Sequence, residues 1–276
     1  MLHSTALPDL QMLPSLSLLP HEDVDPRRAE KLSRRLLEEG ILKNPPVVAP
    51  IQEGQYVVLD GANRTEAFKL AGIPHIVAQI VNYSDPGVIL DTWYHVVSGM
   101  PLDAFEDELS QVGRMKLKVC SLEEARGLLE ADQSLGYIIC ESGVRAILPP
   151  VSISRDLQLL RDLVEAYRGK ADIFRASNDI WEIQKPFYPK ITALVVFPRL
   201  RPEQIIHAAK NDYKVPSGIT RHIIPARALN INIPIGILMA DWPLSRKQEW
   251  LKEWLMERMA ANSIRFYAES TFSFNE

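Results

Sequence analysis

The sequence predicts an α+β fold in two domains, on three observations. Apolar runs at 45–51, 55–59 and 75–81 read as short buried strands, and helical patterns with clear starts and stops cover 26–39 and 62–71. The length, 276 residues, suffices for one large domain or two smaller ones. Hydrophobic residues are 46% and charged residues 24%, an ordinary globular composition.

Residues 1–20 are rich in leucine and proline and have no clear period. They lack a basic leading region and carry Asp9 and Gln11, so they are not expected to be a signal peptide. The first firm helix, "PRRAEKLSRRLLEE" (26–39), has Asp25 as N-cap, Pro26 in the first position and Gly40 at its end. Ala29, Leu32, Leu36 and Leu37 share one face. "PPVVAPI" (45–51) and "QYVVL" (55–59) are strands about a Glu53-Gly54 turn. A helix over 62–71 and a strand "HIVAQIV" (75–81) follow, and "PGVILDTWYHVVSG" (86–99) is expected to be a helix.

Residues 99–103 are the expected boundary, after which the pattern restarts. Ser121 and Glu124 form a capping box before Ala125, Leu128 and Leu129. "YIIC" and "RAILP" make a hairpin about Glu141-Ser142-Gly143. Helices are expected over 153–168 and 202–212, and a strand over 193–200. "LSRKQEWLKEWLMERMAAN" (244–262) is a strong amphipathic helix with Trp250, Leu251, Trp254 and Leu255 on one side.

The net charge is −4, from 31 basic and 35 acidic residues, which disfavours non-specific DNA binding. Cys120 and Cys140 lie outside any CxxC and give no disulfide framework, so a reducing cytoplasm is the expected location. No apolar run approaches the ~20 residues that span a bilayer, and no membrane association is expected. The histidines at 3, 21, 75, 95, 207 and 222 show no zinc spacing, and there is no Walker loop, GxGxxG or protein-kinase HRD or DFG.

Three stretches carry chemistry. In "VVLDGANRTEAFKLAG" (57–72) a strand ends on Asp60, turns on Gly61 and starts a helix at Ala62-Asn63-Arg64. Bare N–H groups and the helix dipole at such a terminus suit phosphate. Gly61 lets the backbone approach a ligand, while Asn63 and Arg64 supply donors. Asp60 would repel phosphate unless a divalent cation bridges them or the acid handles an acceptor hydroxyl or amine. An Asp60–Arg64 pair capping a structural helix explains the spacing equally well.

The second stretch, "PHEDVDP" (20–26), crowds His21, Glu22, Asp23 and Asp25; read alone, it is a solvated acidic loop with an N-cap. The third, "PSGITRHIIPARALNINIP" (216–234), sets Thr220, Arg221, His222, Arg227 and Asn230 among apolar residues. It fits the outer face of strands as well as an anion site. Trp93 and His95 are expected to share a helix with Asp91, the aromatic ring buried.

"VDPRRAEKLSRRLLEEGILKNPPVVAP" followed by "YVVLDGANRTEAFKLAGIPHIVAQIV" resembles the ParB/sulfiredoxin-type nucleotide-binding fold. Sulfiredoxin has a catalytic cysteine just after the glycine, where this chain has Ala62. ParB proteins bind CTP and carry a GERRxRA-type box and a helix-turn-helix; here the box reads "DGANRTEA" and no clear helix-turn-helix follows.

The broadest resemblance is to the free L-serine kinases of archaea and of siderophore operons. It is carried in order by "PHEDVDP", "LDGANRTEAFKLAG", "ALVVFPRLRPEQIIHAAKND", "SGITRHIIPARALNINIP" and "IRFYAESTFSFNE". The resemblance implies a ParB/sulfiredoxin-like nucleotide-binding domain over 1–100 and a mixed α/β domain over 101–276 completing the substrate site. It implies transfer of a phosphoryl group from ATP or ADP, with Mg²⁺, to free L-serine or a related hydroxyl amino acid. Glu22 would then be the catalytic base, and Asp60 would orient the hydroxyl or hold Mg²⁺. Gly61, Ala62, Asn63, Arg64 and Thr65 would cradle phosphates, while Trp93, Thr220, Arg221 and His222 would surround the serine. The family often has histidine at the place of Asn63, and some members have lysine at that of Gly218. A ParB-like regulator that senses a nucleotide or metabolite without turnover is the competing expectation.

Overall fold

A computed structural model describes residues 7–52, 54–113, 115–149, 157–211 and 213–267. In chain order the elements begin β1 (Asp9–Pro14), β2 (Leu18–Pro20), α1 (Pro26–Glu39), β3 (Ile41–Leu42), β4 (Val47–Gln52), β5 (Gln55–Asp60), α2 (Ala62–Leu70) and β6 (His75–Ile80). Then come β7 (Ile89–Thr92), β8 (Tyr94–Ser98), α3 (Leu102–Gln111), β9 (Lys116–Cys120), α4 (Leu122–Glu130), β10 (Gly136–Cys140) and β11 (Gly143–Leu148). The last are α5 (Leu157–Glu165), β12 (Asp172–Ala176), α6 (Trp181–Gln184), β13 (Ile191–Val196), α7 (Pro202–Lys210), β14 (Thr220–Ile223), β15 (Ile233–Pro234), α8 (Ile235–Met239) and α9 (Leu244–Ala260). The α+β class therefore holds.

The chain forms two compact units. The first takes the described residues of Met1–Pro20, Val24–Ile89 and Ile224–Glu276; the second takes His21–Asp23 and Leu90–Ile223. This differs from a single cut after residue 100. The first unit draws its last segment from the far end of the sequence, because β15, α8 and α9 supply apolar residues that its sheet must cover.

In the first unit the five-stranded sheet runs β1-β6-β4-β5-β2, with β1–β6 and β4–β5 antiparallel and β4–β6 and β2–β5 parallel. Its core joins Leu18, Val48, Val58, Phe68 and Ile76 to Ile233, Leu238 and Leu251. Full burial of side chains such as Phe68 contributes roughly 1.5–3 kcal/mol each. Trp250, Trp254 and Leu255 pack against the same core, as the amphipathic pattern requires. Lys247, fully buried, donates to the Leu238 carbonyl at 2.7 Å and lies 3.0 Å from His75 Nδ1. Helix α1 has the expected ends: Asp25 accepts from the N–H groups of Arg27 and Arg28, and Gly40 stops the helix at φ 68°. Leu37, expected on the buried face, is exposed.

The second unit holds a six-stranded sheet, β12-β8-β13-β10-β11-β9. All the pairings within it are antiparallel. The hairpin of β10 and β11 and the Ser121 cap of α4 form as expected. The helix expected over 86–99 is instead β7 and β8. Ile89, Thr92, Val96 and Val97 are β-branched, and β8 sits between β12 and β13 in the sheet interior. A strand covered on both faces is apolar on both, so its sequence does not alternate and cannot be told from a buried helix by period. Glu53, the start of the helix expected from 153 and the end of the tail "IRFYAESTFSFNE" lie outside the described residues. No helix among the described residues is long and apolar enough to cross a membrane.

Candidate active site

The first cluster lies wholly in the first unit, where β5 ends and α2 begins. Asp60 closes the strand and Gly61 is the N-cap at φ 93°, in the left-handed region that favours glycine. A Cβ there would also meet Arg64 Nη1 at 3.0 Å and Pro46 at 3.1 Å. No side chain caps α2, and its first intrahelical bond is Thr65 N–H to Gly61 O. The N–H groups of Ala62 and Asn63 therefore have no acceptor within the helix. Arg64 folds back over Gly61 and donates to the Pro45 carbonyl at 3.2 Å.

Asp60 pairs with Arg227, whose Nη2 lies 2.5 Å from Oδ2. The loop carrying Arg227 is pinned by buried Gln79, which donates to Ala226 O at 3.2 Å and accepts from Ala228 N–H at 2.8 Å. Asp60 Oδ1 has no partner among the described residues. Asn63 Oδ1 accepts from the Asp25 N–H at 3.0 Å, so this side chain joins the N-termini of α1 and α2. Thr65 is fully buried and its hydroxyl lacks a hydrogen-bond partner among the described residues. Its N–H is already bonded to Gly61 O, so it is not one of the open donors.

The second cluster lies in the second unit and centres on Glu22. The segment His21–Asp23 is sewn to Val215 by two backbone bonds, Val215 N–H to His21 O at 2.8 Å and Asp23 N–H to Val215 O at 2.9 Å. That pairing lays Glu22 against residues 218–220. Its Oε1 accepts from Thr220 N–H at 3.1 Å and from the Thr220 hydroxyl; Oε2 accepts from Gly218 N–H at 3.3 Å. Glu22 is thus a held carboxylate and not a solvated loop acid. His21 is buried, with Nε2 2.9 Å from Thr220 Oγ1 and its ring edge-on to His222 at 5.4 Å. Because the hydroxyl gives its proton to Glu22, His21 Nε2–H donates to Thr220. Asp23 pairs with Arg161 at 3.3 Å; burial raises its pKa, against the pull of Arg161.

Trp93 joins the same cluster from between β7 and β8. Its backbone N–H donates to Ile219 O at 2.9 Å, and the Arg221 guanidinium stacks 4.4 Å from its ring centroid. Arg221 also lies 3.9 Å from Asp91, which Arg199 approaches at 3.3 Å. His95 lies behind this cluster. It is buried, with Nδ1 2.8 Å from the Tyr167 hydroxyl and a hydrogen bond to the Gly218 backbone.

Of the residues singled out in the sequence, Glu22, Trp93, Thr220, Arg221 and His222 come together in the second unit, and Asp60 through Arg64 in the first. Gln79 was missed, as were the pairings of Arg227 with Asp60 and of His21 with Thr220. His21 and Arg227 stood inside quoted stretches, but their partners lie far along the chain. Among the described residues no three metal-ligating side chains cluster. A cavity of about 980 Å³ in the second unit is lined by Gln158, Arg201, Gln204, His207 and Tyr213, none of which belongs to either cluster.

Fold and clusters define an α+β protein with an uncapped, glycine-led helix terminus suited to phosphate and, separately, a carboxylate held on a threonine. No protein-family model matches the chain. It is 23% identical over 95% of its length to the ATP-dependent L-serine kinase SbnI of Staphylococcus aureus, covering 96% of that protein. The solved structure of C-terminally truncated SbnI superposes with a TM-score of 0.74, at 21% identity, over 91% of this chain and 97% of that one. An ATP-dependent L-serine kinase of Staphylothermus marinus is 28% identical over 80% of this chain and 88% of its own. A free serine kinase solved with AMP gives a TM-score of 0.71, at 18% identity, over 86% and 98%. The resemblance to free L-serine kinases read from the sequence therefore extends along nearly the whole chain.

Proposed function

We propose that this protein is a kinase that transfers the terminal phosphoryl group of ATP or ADP to the hydroxyl of free L-serine, giving O-phospho-L-serine. The observation that carries the reading is the state of Glu22. Its carboxylate takes three hydrogen bonds from the segment bearing Thr220, and so is oriented before any acceptor arrives. In the reaction the serine oxygen attacks phosphorus, its proton passes to Glu22, and the bond to the leaving phosphate breaks to release ADP or AMP. His21, donating to Thr220, keeps that hydroxyl aimed at Glu22. Trp93, Thr220, Arg221 and His222 surround the acceptor.

The nucleotide is held in the first unit. The open N–H groups of α2 and the Arg64 guanidinium receive its phosphates. Arg227 offsets the repulsion that Asp60 would exert on them. Mg²⁺ usually takes one or two carboxylates, phosphate oxygens and water. Asp60 fits that pattern through Oδ1, and the cation would supply charge neutralisation at the phosphates. The related proteins named ATP-dependent kinases favour ATP as donor.

The test is incubation with Mg²⁺, ATP or ADP and a panel of amino acids, reading phospho-amino acid by mass spectrometry. O-phosphoserine from L-serine is the expected product. Nucleotide binding with no product from any hydroxyl amino acid would overturn the kinase reading in favour of a nucleotide-sensing regulator.

A further inference from the structure

Arg175 is an exposed residue of β12, an edge strand of the second unit's sheet, and pairs in register with buried His95 of β8. Its guanidinium packs on the backbone of Gly218. A Cβ built at Gly218 would fall 2.9 Å from Nη2, 3.0 Å from Nε and 3.3 Å from Cζ. Gly218 has φ +90°, so both backbone conformation and space favour glycine there. The cation thus stands where a side chain at 218 would begin, on the segment that gives Glu22 its hydrogen bonds.

The other arginines of this region are committed. Arg161 pairs with Asp23, Arg168 with Glu165, and Arg199 and Arg221 with Asp91. Arg175 has no carboxylate or carbonyl partner among the described residues. Its charge reaches inward all the same, adding to the burial that keeps His95 neutral. An unpaired guanidinium beside a functional loop is a ready receptor for a planar anion, because its fork matches a carboxylate with two parallel hydrogen bonds.

Resting on the proposed function, we infer that Arg175 binds the α-carboxylate of the acceptor amino acid and so restricts the enzyme to free serine over serine within a peptide. A carboxylate suits the site better than the transferred phosphoryl group. It carries one charge against the single guanidinium, whereas a more highly charged phosphate would be repelled more strongly by Glu22, which that segment holds.

The experiment compares L-serine with L-serinamide, which keeps the hydroxyl and amine but has no carboxylate. Binding of both to the full chain is measured by calorimetry for wild type, Arg175→Ala and Arg175→Lys, alongside KM for L-serine. Arg175→Ala is expected to weaken L-serine about tenfold or more, the loss of one charge-assisted contact. It should leave serinamide binding, nucleotide affinity and the unfolding midpoint unchanged. Arg175→Lys should recover only part of the loss, since an ammonium lacks the fork.

Equal weakening of serinamide, unchanged serine binding, or a loss of nucleotide affinity in its place would overturn the inference, as would a wild type that does not bind L-serine. Binding is read without turnover. A wild type that binds serine through Arg175 yet forms no phosphoserine therefore refutes the kinase reading alone. An active enzyme with unchanged serine KM in Arg175→Ala refutes this inference alone.

Discussion

Lowering the pH from 7 to 5 is expected to cost the fold about 2 kcal/mol through His95 alone. The ring is 2% exposed, packs edge-on to Phe197 at a centroid distance of 4.9 Å, and meets the Tyr167 hydroxyl through Nδ1. Burial pushes its pKa from the ordinary 6.5 down to about 3. The hydrogen bond to the Gly218 backbone works against that shift, and the charges of Arg175 and Arg168 add to it. The folded value lies below the unfolded one, so the unfolded chain takes the proton first. Stability is therefore full above about 6.5 and falls with pH until the folded form titrates near 3. At pH 5 the deficit is about 1.5 pH units at 1.36 kcal/mol each, or roughly 2 kcal/mol. Urea unfolding of wild type and His95→Gln at both pH values isolates the effect, because other groups titrate alike in the two proteins. Wild type should lose about 2 kcal/mol more than the variant between pH 7 and pH 5. Equal losses would mean that His95 is not held neutral by burial, and would sink the argument.

Two further outcomes follow from the proposed chemistry. Glu22→Gln retains an oxygen for Thr220 but cannot take a proton; kcat should fall about 10²–10⁴-fold. Nucleotide affinity should stay unchanged, with a stability loss near 1 kcal/mol from the weakened Gly218 contact; more than a third of wild-type kcat would remove Glu22 as base. Arg64→Ala should cost nucleotide binding roughly 1.5–3 kcal/mol by calorimetry, and an unchanged Kd would mean that Arg64 serves only as the donor to the Pro45 carbonyl.

The parts of the fold legible in sequence are those set by neighbours along the chain. Helix α1 was readable to the residue because Asp25, Pro26 and Gly40 act locally. The strand–turn–helix at Asp60 was readable for the same reason. The strands β7 and β8 were not, since their conformation is decided by pairing with β12, β13 and β14. The sequence likewise offered two equal accounts of Asp60 and misread Glu22 when taken alone. The partner of Asp60 sits 167 positions away, and the donors to Glu22 sit 196 and 198 positions away. Only the resemblance, which spans both ends of the chain, placed Glu22 with Thr220 beforehand; the Asp60–Arg227 pair had no such pointer.

The return of the chain to the first unit bears on how the protein is born. Leu251, Ile233 and Leu238 complete the core begun by Leu18 and Val58, and Met12 N–H bonds Gln248 Oε1 across 236 positions. During synthesis the first unit's sheet must wait, half covered, until α9 leaves the ribosome. The second unit, continuous from Leu90 to Ile223 apart from three residues, can condense earlier. A nascent chain stopped at residue 223 would therefore present the Glu22–Thr220 cluster while still lacking a stable first unit, and a fragment ending at residue 100 would aggregate through its uncovered strands.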